Sequence, residues 1–110
     1  MKIFLPIILL LSLVAPAKAL NCGDLAGFYL HYAKPNSDPT KLWEDDGYFN
    51  GYVFGFISGY NNRFFNIPNN VTAKQMAHVV GKYLQAHPEK WHLGMNQCAY
   101  DALYATWPNT

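Results

Sequence analysis

Charge is scarce in this chain. Asp, Glu, Lys and Arg make up 14% of its 110 residues, and no basic run occurs. A near-neutral balance without a basic stripe leaves no electrostatic footprint for nucleic acid. Cysteine is rarer still, at two residues, and the C-x-x-C spacing of redox and zinc sites is absent. No alternation of apolar and polar residues marks a strand, and no repeat of about 20 to 50 residues marks a solenoid. Catalytic signatures are missing too. The histidines are His31, His78, His87 and His92, and no two stand at i, i+4 on one helix around a carboxylate. That excludes the zinc-protease arrangement, and there is no G-x-S-x-G for a serine nucleophile. His87 and His92 flank Pro88 and read as helix-end and turn residues. No metal or cofactor is implied, and the chain is not expected to be an enzyme.

One long apolar run is present, at the start. Met1 and Lys2 precede Ile3 to Val14, and Ala17-Lys18-Ala19 supplies an A-x-A cleavage site. The run is shorter than the roughly 20 residues that span a bilayer, and no second run of about 18 follows. Residues 1–19 therefore read as a signal peptide, residues 20–110 as one exported domain, and stable membrane insertion is not expected. Cys22 near the cut raises lipidation, but a lipoprotein signal wants a small residue before the cysteine, and Asn21 stands there. Lys2 and Lys18 leave with the signal, so eight basic residues become six against seven acids. The domain keeps every aromatic residue but Phe4, which suits a short chain building its core from few side chains.

Export permits oxidation, and two cysteines allow one pairing, Cys22 with Cys98. A loop of that length is worth about 4 to 5 kcal/mol in the chain-entropy model. A reactive thiol is the rival, but no cation or evident base adjoins either cysteine.

Punctuation divides the domain into four helices, which makes an all-α fold. The first runs roughly from Cys22 to Tyr32, with Asn21 as cap and Asp24 in the first turn. A loop with two prolines follows, from Ala33 to Pro39. The second helix begins near Thr40 or Lys41 and ends about Tyr60. The third is the best specified. Thr72 and Gln75 form a capping box, Val71 and Met76 a hydrophobic staple, and Pro88 ends it, leaving Ala73 to Ala86. Met76, Val79, Val80, Tyr83 and Leu84 form its apolar stripe, with Lys74, Gln75, His78, Lys82 and Gln85 opposite. The fourth runs from about Leu93 to Thr106, with Met95, Cys98, Ala99, Ala102, Leu103 and Thr106 on one side.

The second helix carries Gly47, Gly51, Gly55 and Gly59 on one ridge, beside Phe49, Tyr52, Val53, Phe56, Ile57 and Tyr60. Each helical glycine costs about 0.5 to 1 kcal/mol relative to alanine. Close approach of a neighbouring helix backbone along the ridge is the expected compensation. A homodimer seam is equally compatible with the pattern. A membrane dimerisation face fits poorly, because Asp45, Asp46 and Arg63 bracket the short apolar part. Glu44, Asp45 and Asp46 read as a solvated first turn that complements the helix dipole and could meet a basic partner surface.

The spaced run Gly51-Tyr52-Val53, Gly55, Ile67-Pro68, Val71-Thr72, Gln75, Val79-Val80, Tyr83-Leu84, His87-Pro88, His92, Ala102-Leu103 and Trp107-Pro108 resembles the Rap1a/Tai immunity protein family. The resemblance covers about residues 49–108. It implies a small periplasmic helical protein that binds and neutralises an effector of a type VI secretion system, such as a peptidoglycan-degrading amidase, by occlusion. Members of that family often carry a cysteine before the Ile-Pro pair and another after the terminal aromatic-Pro. Asn66 and Asn109 occupy those places here. The candidate effector-binding surface is the polar segment between the second and third helices, Asn61, Asn62, Arg63, Phe64, Phe65 and Asn66, because arginine and aromatics on loops are common binding anchors. At least one of Phe64 and Phe65 is expected to cap the core instead. Trp43 and Trp91 are weaker candidates. A periplasmic acid-stress chaperone is the alternative function, and seven acids are few for it.

Overall fold

Two helix starts are built by the same device. Thr72 Oγ1 accepts from Gln75 N at 3.1 Å while the Gln75 side chain accepts from Thr72 N at 2.8 Å. Asn21 and Asp24 exchange the equivalent pair, both at 2.9 Å. Each box satisfies donors that a helix N-terminus otherwise leaves open. The computed structural model describes residues 19–33 and 39–109, and the side chains of its second helix from residue 46 onward. The signal peptide expected over residues 1–19 lies outside the described residues, apart from Ala19.

Among the described residues four α-helices make the fold: α1 Cys22–Ala33, α2 Pro39–Tyr60, α3 Ala73–Ala86 and α4 Met95–Thr106, with a 3-10 turn Pro88–Lys90 between the last two. Among the described residues there is no strand, only isolated bridges. Helix α2 opens on a proline, whose missing N–H costs nothing at that position. Its first turn therefore comes earlier than expected and holds no acidic residue. Glu44, Asp45 and Asp46 lie beyond it, which corrects their reading as a first-turn complement to the dipole.

Helix α1 packs on α2 and α3, and α3 on α4. Leu25, Phe49, Val53, Phe65, Val80, Leu84 and Leu103 are the large residues sealed between them. Cys22 and Cys98 are bonded, with Cα atoms 6.2 Å apart, and join the start of α1 to α4. Around this staple Cys22 N donates to Leu93 O at 2.9 Å and Gly23 N to Trp91 O at 3.0 Å. The turn at residues 91–93 is thus committed to α1, and α4 begins at Met95 rather than Leu93.

One expectation about helix faces is extended and another is overturned. On α3 the fully buried row is Ala77, Val80, Gly81 and Leu84, and Met76 and Tyr83 of the expected stripe pack half-buried against the same core. His78, assigned to the polar side, reaches Tyr29 Oη with Nδ1 at 2.8 Å. On α2 the inward row is Phe49, Val53 and Ile57. Gly51, Gly55 and Gly59 each stand two residues further on, about 200° around the helix. Among the described residues no neighbour approaches the glycine row within 4 Å of where a side chain would begin. The close approach sits elsewhere, at Gly81, where a Cβ would overlap the Tyr29 ring.

Candidate functional site

The segment after α2 is a tightly pinned loop. Asn62 takes a positive φ of 70°, a conformation asparagine tolerates better than most residues. This lets the chain reverse so that Asn62 N donates to Phe65 O at 2.8 Å. Asn61 Oδ1 accepts from Ile67 N at 3.0 Å across the same loop. The C-terminal tail completes the clasp. Asn66 N donates to Trp107 O at 3.0 Å, Asn109 Nδ2 to Arg63 O at 2.9 Å, and Asn66 Nδ2 to Asn109 Oδ1 at 3.2 Å. The two asparagines that stand where the resembling family often has cysteines are in direct contact.

This clasp decides the fate of the two phenylalanines. Phe65 bridges to Pro108 and is fully buried. Phe64 is turned outward, 47% exposed. Its ring lies 5.5 Å from Tyr60 and 6.3 Å, edge on, from Tyr100. From there aromatic contacts continue along two helices: Tyr60 to Phe56 and Phe56 to Tyr52 on α2, and Tyr100 stacked on Tyr104 on α4. A cleft of about 370 Å³ opens between the two helices, lined by Phe56, Tyr60, Phe64, Asn96, Gln97 and Tyr100. At its far side Tyr52 Oη donates to Asn96 Oδ1 at 2.6 Å. Burial pushes the Tyr52 hydroxyl well above its ordinary range, with Tyr48 and Tyr60 adding to the shift, so it stays a neutral donor. The exposed glycine row of α2 lies alongside this aromatic row, its backbone open to a partner.

The loop and the cleft make one surface of rigid aromatic rings rimmed by Asn61, Asn62, Arg63, Asn96 and Gln97. Aromatic anchors with a polar rim are what a protein partner is held by. The surface offers no nucleophile with a base beside it. Of the six expected loop residues, Asn62, Arg63, Phe64 and Asn66 are exposed. Asn61 and Phe65 build the loop, and Asn66 holds it from the surface through Asn109. Sequence reasoning missed Phe56, Tyr60, Tyr100 and Tyr104 as members of the same surface. The i, i+4 spacing of Phe56, Tyr60 and Phe64, and of Tyr100 and Tyr104, was the signal.

Of the acidic cluster only Asp46 has a described side chain; those of Glu44 and Asp45 lie outside the described residues. Asp46 is half-buried, and its charge helps to raise the Tyr32 hydroxyl, which burial raises first. Trp91 is partly exposed, yet its indole N–H donates to Leu84 O at 2.8 Å and so closes the end of α3. His87 caps the same helix and lies 4.1 Å from the Tyr83 ring, with Nδ1 3.1 Å from Glu89 Oε2. No group of His, Cys, Asp and Glu among the described residues could hold a metal ion. No helix among them is long and apolar enough to cross a membrane.

A family model described as Rap1a immunity proteins matches residues 17–109. No curated protein matches the chain.

Proposed function

The chain belongs to the Rap1a immunity protein family, and from that membership we propose that it is a periplasmic immunity protein, which binds an effector of a type VI secretion system and neutralises it by occlusion. The family match over residues 17–109 carries this reading. The exposed aromatic surface at the end of α2 supports it, since a protein that acts by occupying another needs anchors and no chemistry of its own. An amidase that degrades peptidoglycan is the effector class in view. A signal peptide over residues 1–19, as the sequence reads, would carry the chain to the compartment where such an effector acts.

Phe64 is the anchor, Tyr60 and Tyr100 hold it upright, and Arg63 supplies the charged contact beside it. The test is co-expression of the full chain in the periplasm with each effector candidate encoded nearby. Growth should be rescued with one of them, and the purified pair should bind. Rescue should weaken with Phe64→Ala. Failure to bind or rescue against every neighbouring candidate sinks the immunity reading, and full rescue by Phe64→Ala with Arg63→Ala sinks the surface.

A further inference from the structure

A second surface lies on α3, in residues separate from the aromatic cleft. Lys74, His78 and Lys82 recur every four residues along the helix and so form one row. They border a trough of about 420 Å³ whose other walls include Gln75, Val79 and Trp107. Both lysines are exposed and neither has a carboxylate partner among the described residues, whereas Lys90 holds Asp101 at 3.1 Å. His78 spends Nδ1 on the Tyr29 hydroxyl. When that hydroxyl donates, the imidazole proton sits on Nε2, which has no partner among the described residues and is a donor for an incoming oxygen.

We propose that this trough binds an acidic segment of a partner protein, taken as an extended strand with two carboxylates four residues apart and an apolar side chain between them. The dimensions match. Lys74 and Lys82 are about 12 Å apart along the helix axis. Residues i and i+4 of an extended strand are about 13 Å apart and, with i+2, share one face. The two carboxylates then reach the two ammonium groups, and the central side chain lies on Val79 and Trp107. Two lysines are too few for a lipid surface or a nucleic-acid backbone, where each cation adds little and affinity needs many. A short peptide needs only two.

The probe is acetyl-Gly-Glu-Ser-Leu-Ser-Glu-Gly-amide, titrated into the full mature protein labelled with nitrogen-15 at low salt. Amide shifts should move between residues 72 and 83, together with the Trp107 indole. The glutamine version of the peptide should bind at least about fivefold more weakly, as should the Lys74→Ala/Lys82→Ala variant, and added salt should weaken the complex. Both lysines are exposed, so the variant's Tm should match the parent's. Equal binding by the glutamine peptide, an unaffected double variant, or no shifts at millimolar peptide overturns the proposal. So does binding to phosphatidylglycerol vesicles without binding to the peptide. The titration needs no effector, so its failure is distinguishable from failure of the immunity reading.

Discussion

Replacing Gly81 by alanine sets two opposed effects against each other. In a helix interior the change gains about 1 kcal/mol of propensity. Here the new Cβ would overlap the ring of Tyr29, which is 3% exposed and enclosed between α1, α2 and α3. The ring must leave its seat. It then gives up its contact with Phe49, with centroids 5.3 Å apart, and its 2.8 Å hydrogen bond to His78. Those losses are worth about 1 kcal/mol each. Forcing a methyl group into a filled core costs about 1 to 3 kcal/mol more. The net is a destabilisation of about 2 to 4 kcal/mol, or at least about 10 °C in Tm for a domain of this size. Gly55→Ala is the control, because no atom of the described residues stands within 4 Å of its Cβ position. It should raise Tm by a few degrees through the same propensity gain. Thermal unfolding of the oxidised mature protein, followed by far-UV circular dichroism, reads both. An unchanged or raised Tm for Gly81→Ala would refute the packing argument.

The Cys22→Ser/Cys98→Ser protein should lose about 4 to 5 kcal/mol, seen as a lower urea midpoint, because the bridge closes a separation of 76 positions; an unchanged midpoint would mean the bridge does not constrain the unfolded chain. Phe65→Ala should cost about 3 to 5 kcal/mol and Phe64→Ala almost nothing in urea unfolding, so equal costs would contradict the outward turn of Phe64. Stability should fall above the ordinary tyrosine value of 10.0, since the hydroxyls of Tyr29, Tyr32 and Tyr52 are all raised in the folded state. Above that pH the unfolded chain binds fewer protons than the native one, so stability is full below it and drains away as pH rises. Tyr52→Phe should shallow the alkaline slope in a pH series of urea midpoints, and an unaltered slope would remove Tyr52 from the account.

The parts of the fold written in local chemistry were legible. Thr72 with Gln75, Asn21 with Asp24, and the proline after His87 each act within a few residues, and the two cysteines had one way to pair. Facing directions were not legible in the same way. A hydrophobic pattern weights large side chains, so it overlooked Ala77 and Gly81, both fully buried on α3. The tightest contact there is made by Gly81, which lets the Tyr29 ring come close. The glycine row of α2 misled for the converse reason. Small residues permit a close neighbour but do not summon one, and the Phe49, Val53 and Ile57 row had already claimed the opposite side. The loop's composition marked it as a contact candidate. Which phenylalanine faces out depends on a clasp by Trp107 and Asn109, more than 40 positions away, and no local rule reaches that far.

The clasp ties the shape of the loop to residues 107–109. Arg63 is held by its carbonyl to Asn109, and Asn66 to both Trp107 and Asn109. A chain cut short before Trp107 would free the loop from its mooring. Substitutions at Trp107 or Asn109 would reshape the proposed contact surface without lying on it.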